Sequence, residues 1–247
     1  MQETFSIANL KVNFEAKGDM LYTRSRAYLT DYTDKPDFSL HLSEETVEAR
    51  HKTYPQLTLD ECRYMWMGER FYYGLIHFGG LLMHASCVAR NGKAYLFSAK
   101  SGTGKSTHTA LWMQRFTDCI MINDDKPALR KLDGKFYACG TPFSGKDDAS
   151  TNVCVPIRAI VFLERGKENS IEPITPLQAI PLFLSQTLRP SQQENMTLML
   201  DILGDLLEHT PVFRLRCTMD EVAAQVSYDG IEQYYKALEK ESESHEN

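Results

Sequence analysis

The chain has 247 residues, 43% of them hydrophobic and 24% charged, with a formal net charge of −6. A length and balance of this kind describe a globular protein with one large domain, alone or with a small appendage, and the acidic balance gives no electrostatic ground for nucleic acid or an anionic membrane surface as partner. No apolar run approaches the roughly 20 residues of a membrane helix, and Met1-Gln2-Glu3-Thr4 lacks a signal-peptide pattern, so a cytoplasmic protein is expected. The six cysteines are scattered without a Cys-x-x-Cys pair, which reads as buried reduced thiols and excludes a zinc site of ordinary spacing.

In chain order, residues 1–57 are rich in β-formers with partial alternation, as in Phe5-Ser6-Ile7-Ala8-Asn9-Leu10-Lys11-Val12-Asn13-Phe14, and predict several short strands capping a main sheet. Thr58-Leu59-Asp60-Glu61 is a helix start, and the helix runs to about His77 with Tyr64, Phe71 and Leu75 on its core face. Leu81–Arg90 predicts one strand, Asn91-Gly92 a tight hairpin turn, and Lys93–Phe97 the returning strand. That strand runs into Ala99-Lys100-Ser101-Gly102-Thr103-Gly104-Lys105-Ser106, after which Lys105–Phe116 reads as a helix.

The glycine-rich loop fits the Walker A pattern, with Ala99 where glycine is commoner, and it implies binding of the phosphates of ATP or a close relative. Gly102 and Gly104 permit backbone angles closed to other residues, so the N–H groups of Ser101 to Thr107 converge on a phosphate. Lys105 reaches the β- and γ-phosphates, the Ser106 hydroxyl is a Mg2+ ligand, and the helix N-terminus faces the same anion. The antiparallel hairpin leading into the loop differs from the parallel strand-helix-strand unit of other phosphate-loop folds.

Cys119–Ile122 is a short buried strand ending at Asn123-Asp124-Asp125, where a metal-assisting acid is expected about twenty residues after Lys105. Two adjacent carboxylates allow one to assist the metal and the other to accept a proton. His84, placed mid-strand in the hairpin, is either a group facing the transferred phosphate or a satisfied core histidine; the residues leave both open. Gly140-Thr141-Pro142-Phe143-Ser144-Gly145-Lys146 is a second glycine-bearing loop, either closing over the phosphates with Lys146 or serving as a plain connection. Arg165, Lys167 and Arg189 are weaker candidates. Phe136–Cys139, Arg158–Leu163 and Val212–Cys217 are further strands. The stripe Met196, Met199, Leu203, Leu206 and Leu207 marks a core helix capped by Ser191, Glu221–Glu239 is helical, and residues 240–247 are a frayed end.

The hairpin with its histidine, the Ser-x-Gly-x-Gly-Lys-Ser loop and the Asp-Asp pair, in that order, resemble the catalytic domain of HPr serine kinase/phosphorylase. The whole chain is also similar to a bacterial HPr-kinase-like group sharing Ser-Gly-Thr-Gly-Lys-Ser-Thr-His, Asn-Asp-Asp-Lys-Pro and Gly-Thr-Pro-Phe-Ser-Gly-Lys. The resemblance implies a mixed α/β fold of the phosphoenolpyruvate carboxykinase-like type, with the nucleotide-binding domain over 58–240, a β-rich segment over 1–57 and an acidic tail over 241–247. It further implies ATP and Mg2+ as cofactors, Asp124 as base, Asp125 and Ser106 on the metal, and His84 beside the reacting phosphate. The expected activity is transfer of the γ-phosphoryl group to a hydroxyl of a protein, peptide or small molecule, by a chain that forms homo-oligomers as its relatives do. Thr107 stands where those kinases carry glutamate, and their later Pro-Gly-Arg-type signature is absent, so HPr is not the expected acceptor. The same departures support an alternative, an ATP-binding regulatory or accessory module without kinase activity; a nucleotide-gated scaffold ranks third.

Overall fold

In the computed structural model, which describes residues 2–31 and 34–245, alternation of apolar and polar residues builds the first two strands, β1 (Glu3–Ile7) and β2 (Leu10–Phe14). Ala8 and Asn9, at φ 51° and 59°, form the turn between them. Their apolar faces, Phe5, Ile7, Val12 and Phe14, are sealed from solvent. The segment is not all strand, as its residues predicted. It contains helices α1 (Asp19–Ser25) and α2 (Glu44–Thr53) around a two-residue β3 (Phe38–Ser39) that joins β2 in parallel. The start of α2 is fixed by Ser43, whose hydroxyl accepts from the Thr46 N–H. Helix α3 (Leu59–Ile76) begins with a reciprocal capping box between Thr58 and Glu61, and its Phe71 and Leu75 pack into the same apolar cluster as β1 and β2.

The chain then weaves the main sheet: β4 (Gly80–Leu82), β5 (Ala85–Arg90), β6 (Lys93–Ser98), α4 (Lys105–Arg115), β7 (Cys119–Asp125), β8 (Ala128–Leu132), β9 (Lys135–Cys139) and the twelve-residue β10 (Cys154–Arg165). After these come β11 (Ser170–Ile174), α5 (Pro176–Leu184), α6 (Gln193–His209), β12 (Val212–Cys217) and α7 (Glu221–His245). The order is β4-β8-β9-β10-β6-β5-β7, with β12 also on β10 and β11 outside β12. β10 joins two half-sheets. Its first residues pair antiparallel with β9, and beyond an irregularity at Ile157/Ala159 it runs parallel to both β6 and β12. The sheet is therefore mixed and curled.

Both faces of the central strands are covered, so their side chains alternate between two cores. Ala94 and Leu96 of β6, with Ile160 and Phe162 of β10, face the cluster holding Phe183 of α5 and Leu203 and Leu206 of α6. Tyr95, Phe97, Val161 and Leu163 face Trp112 of α4 and Ala224 and Ile231 of α7. Trp112 is fully buried, and its indole N–H donates to the Ser227 hydroxyl at 2.8 Å, locking α4 to α7. Truncation of such a side chain costs about 3–5 kcal/mol.

Several expectations change. The strand predicted over 81–90 is broken at Met83-His84, because the His84 N–H donates to the Gln186 carbonyl and its own carbonyl accepts from the Ser98 hydroxyl, both at 2.7 Å. His84 thus sits at a break, not mid-strand. The first bond of α6 runs from the Met196 N–H to the Gln192 carbonyl, making Gln192 the N-cap in place of Ser191, without side-chain capping. Residues 240–245 continue α7 rather than fraying; Ala237-Leu238-Glu239-Lys240-Glu241 are strong helix formers, while 246–247 lie outside the described residues. No helix among the described residues is long and apolar enough to cross a membrane.

The six cysteines are not all reduced thiols. The antiparallel register of β9 and β10 sets Cys139 opposite Cys154, with Cα atoms 4.1 Å apart, and the two form a disulfide. Cys62, Cys87, Cys119 and Cys217 are free. Peptide mapping after thiol blocking is expected to recover Cys139 joined to Cys154 and the four others alkylated. Reduction should lower the unfolding free energy by about 3 kcal/mol, the loop-closure value for a ring of about 15 residues. Alkylation of all six in the untreated protein would overturn the pairing.

Candidate functional site

β6 ends at Ser98, and the chain turns through Ala99–Gly104 into α4. Gly102 and Gly104 take φ 75° and 122°, angles that L side chains rarely adopt, although a Cβ at either would meet nothing within 4 Å. The requirement is backbone freedom, not space. Gly104 caps α4, its carbonyl accepting from the His108 N–H at 2.9 Å, and the unpaired N–H groups of the first turn face the hollow of the loop. Lys105 folds back so that its ammonium lies 3.4 Å from the Ala99 carbonyl. Burial pulls its pKa below the usual lysine range, and the charges of Asp125 and Asp124 only partly restore it. Arg165, at the end of β10, donates to the Gly102 carbonyl at 2.8 Å and pins the loop from the neighbouring strand. Lys167 and Arg189 do not line the cavity described below.

The two aspartates at the end of β7 face different partners. The Ser106 hydroxyl donates to Asp124 Oδ1 at 3.1 Å. Asp125 Oδ1 lies 2.7 Å from His84 Nε2, and its other oxygen holds the Lys126 ammonium. The divergence comes from the backbone: Asp125 has φ 144°, a region costing a non-glycine residue of order 1–3 kcal/mol. Burial pushes the Asp125 carboxyl up, but the His84 hydrogen bond and the Lys126 charge outweigh it and bring the pKa down to about 2. In a tautomer that donates from Nε2 to Asp125, the His84 ring carries its lone pair on Nδ1.

Three residues that the sequence reading did not single out for this site hold the second glycine-bearing loop against this pair. Asn123 is fully buried; its amide donates to the Thr141 carbonyl at 3.1 Å and its Oδ1 accepts the Lys126 N–H at 2.7 Å. Tyr64, expected only as core, accepts the Ser144 N–H at 2.8 Å through its hydroxyl. Arg24, from α1, donates to the Tyr64 hydroxyl (2.9 Å) and to the carbonyls of Ser144 (3.1 Å), Gly145 (2.9 Å) and Lys146 (3.3 Å). Its Nε lies 3.4 Å from Asp148, and its side chain is only 10% exposed. The Gly145 N–H closes the arrangement on the Asp124 carbonyl at 2.7 Å. A Cβ at Gly140 would stand 1.9 Å from the Thr151 carbonyl oxygen, so that glycine is needed for close approach. Arg24 lies some 120 residues from the loop it holds, and no local pattern announces such a contact.

The result is one cavity of about 730 Å³. It gathers His84, Ser101, Gly102, Thr103, Gly104, Lys105, Ser106, Thr107, Asp124, Asp125 and Lys146, the main candidates read from the sequence, together with Arg165, Lys126, Arg24 and Tyr64. Five cationic side chains (Arg24, Lys105, Lys126, Lys146, Arg165) face four carboxylates (Glu61, Asp124, Asp125, Asp147), so the walls suit an anion that arrives with a cation. Among the described residues no cluster of three or more His, Cys, Asp or Glu could hold a metal by itself. That is compatible with Mg2+, which takes one or two protein oxygens and fills its octahedron with phosphate and water. Neighbouring octahedral ligands at about 2.1 Å from the ion stand about 3 Å apart, and the Ser106 and Asp124 oxygens are 3.1 Å apart.

Residues 58–226 match the family model described as SynChlorMet cassette protein ScmC, and the chain belongs to that family. No curated protein matches it. Among solved structures, the Hpr(Ser) kinase/phosphatase from Coxiella burnetii aligns with 67% of this chain and 96% of its own, at a TM-score of 0.40 and 10% identity. That likeness is too loose to bear on the chemistry.

Replacing Arg24 with alanine strips the charge from three successive carbonyls, those of Ser144, Gly145 and Lys146. Urea unfolding is expected to show a loss of about 3 kcal/mol, and the Gly145 amide should exchange at least about tenfold faster. Arg24→Lys should fall between, because an ammonium cannot reproduce the guanidinium fork. An unchanged midpoint with unchanged exchange would show that the loop stands without it.

Proposed function

We propose that this member of the ScmC family is a Mg2+- and ATP-dependent phosphotransferase that moves the γ-phosphoryl group to a hydroxyl of a protein, peptide or small molecule. The observation that carries the reading is the division of labour between adjacent aspartates: a module that only binds nucleotide has use for one acid beside Ser106, and here a second acid is committed to His84. With it we propose the phosphoenolpyruvate carboxykinase-like form of the fold, supported by the antiparallel β5–β6 hairpin that delivers the phosphate loop.

In this reading the N–H groups of Ser101–Thr107 cradle the inner phosphates and Lys105 neutralises the outer ones. Ser106 and Asp124 would hold Mg2+, which would supply positive charge to offset that of the phosphates. This differs from the duties expected from the sequence, where Asp125 was on the metal and Asp124 was the base: here Asp124 takes the metal, and the base is His84, positioned by Asp125. The contacts favour this assignment: Asp124 is the acid beside Ser106, and Asp125 is occupied by a histidine and a lysine. Asp125, ionised far below neutral pH, orients the His84 ring through Nε2 and leaves Nδ1 to accept the hydroxyl proton. The acceptor oxygen then bonds to the γ-phosphorus as the bond to the β–γ bridging oxygen breaks, and ADP leaves with the electron pair. Lys126 and Lys146 stand at the cavity wall to balance the charge of the transferred group.

Incubation with γ-labelled ATP, Mg2+ and a lysate of the source organism is expected to label an acceptor, and Lys105→Ala to reduce labelling at least about hundredfold. ATP binding that depends on Lys105 without any transfer would sink the phosphotransferase in favour of a nucleotide-binding module. The two aspartates should separate in the same assay. Asp125→Asn is expected to lose about 10²–10⁴-fold in turnover while still binding ATP with Mg2+, whereas Asp124→Asn abolishes the Mg2+ dependence of ATP affinity. The opposite pattern would restore the duties read from the sequence.

A further inference from the structure

Resting on that reading, we infer that a cleft beside Lys126 is the acceptor subsite, and that the acceptor is a serine or threonine of a peptide segment with an apolar side chain, aromatic or of Leu or Met size, a few residues away.

The cavity has two distinguishable ends. A small void shares Thr103, Thr107, Arg165 and Met219 with it, on the side of the inner phosphates, where the nucleoside leaves the loop. A cleft of about 220 Å³ shares Tyr64, Met65 and Lys126 with it, and Lys126 is the partner of Asp125 on the terminal-phosphate side. Anything in this cleft therefore adjoins the acceptor, not the nucleobase.

The chemistry of the cleft selects its occupant. Of its twelve lining residues only Arg50, Glu69 and Lys126 are charged. Its floor is buried Tyr72, Leu82 and Phe143, and its rim leaves Met65 48% and Tyr54 39% exposed, large apolar surface beside an apolar floor. One wall is Trp66, held by the Arg50 guanidinium 5.0 Å from its ring and by Tyr54 at 5.4 Å. A cavity of about 150 Å³ accommodates a benzene ring, so this one takes a single aromatic or large aliphatic side chain. A small polar metabolite would leave the apolar floor uncovered. The acceptor must present a hydroxyl to His84 and, across Tyr64 and Met65, a separate apolar group. A peptide does both, since successive side chains hang independently on a backbone that advances about 3.3 Å per residue.

The test uses synthetic peptides with one central serine or threonine, alanine elsewhere, and a single position scanned through all residues, with γ-labelled ATP and Mg2+. Binding is followed in parallel by tryptophan emission. The chain has two tryptophans, and Trp112 is fully buried, so a change reports Trp66. The expected result is transfer about tenfold to hundredfold more efficient with Phe, Tyr, Trp, Leu or Met at a fixed offset than with Ala. Leu188→Asp, in the cleft wall, should abolish that preference and Leu188→Met keep it. If Leu188→Asp does not fold, Met65→Asp at the exposed rim replaces it. Transfer to peptides with no neighbour preference, or only to small hydroxyl compounds, overturns the subsite and leaves the phosphotransferase standing. Saturable shifts in Trp66 emission with apolar peptides, lost in Leu188→Asp but without any transfer, uphold the cleft as a peptide-binding site and overturn the phosphotransferase, and with it the acceptor role. Neither binding nor transfer overturns both.

Discussion

The site depends on the backbone of one residue, Asp125, held at φ 144°. An ordinary extended strand end would send successive side chains to opposite faces of the sheet; this angle instead keeps both carboxylates in one cavity while pointing them at different partners. Such a conformation persists only where neighbours over-determine it, and they do. The Asp124 N–H donates to Ala149 and its carbonyl accepts from Gly145, while buried Asn123 ties the preceding strand to Thr141 and the following Lys126 N–H to itself. Each of these bonds contributes about 1 kcal/mol, enough together to offset the strain. The loop carrying Ser144–Lys146 is thus part of the device that shapes the aspartate pair.

The sheet supplies the rigidity this requires. β6, β10 and β12 are parallel neighbours, and ligands in α/β sheets gather beyond the carboxyl ends of such strands. Here the three ends deliver the start of the glycine-rich loop at Ala99, Arg165, which pins Gly102, and, just beyond Cys217, Met219 at the cavity's far end. The antiparallel neighbours β5 and β7 bring His84 and the aspartates alongside, through the register Ala85↔Asp125 and Ser86↔Asp124. Because the central strands are buried on both faces, a shift of one residue would move Trp112's partners into the wrong core. The positions of the loop and of the aspartates are therefore set by packing far from the cavity.

What could be read in the residues was what local physics writes locally. Glycines before a helix, Asn-Gly between two strands, a Thr-x-x-Glu capping box and an Asp pair after an apolar strand each carry their structural cause within a few positions. What could not be read was written by tertiary contact. Arg24 gives no sign of holding a loop 120 residues away, Tyr64 looks like any helical core aromatic, and the pairing of Cys139 with Cys154 exists only once β9 and β10 find their register. The break at His84 is of the same kind: Met83-His84-Ala85 alternates like a strand, and it takes Gln186 and Ser98 to pull its backbone out of the ladder. The helices α1 and α2 were hidden differently, since with so few of their residues buried neither shows a strong apolar stripe.

The charge pattern constrains what the cavity can accept before any acceptor is considered. Asp125 is paired with both His84 and Lys126, so the Lys126 charge is already partly neutralised before any anion arrives. With five cationic side chains against four carboxylates, the walls are close to neutral and cannot by themselves balance a triphosphate. In the reading proposed above, a bound cation would supply the missing positive charge, and the Ser106–Asp124 pair is the position from which the chain would share one with the phosphates. The same balance distinguishes this pocket from a simple anion trap. An anion trap would leave its lysines unpaired, whereas here Asp125 keeps Lys126 at the rim of the apolar cleft, where the two cavities meet.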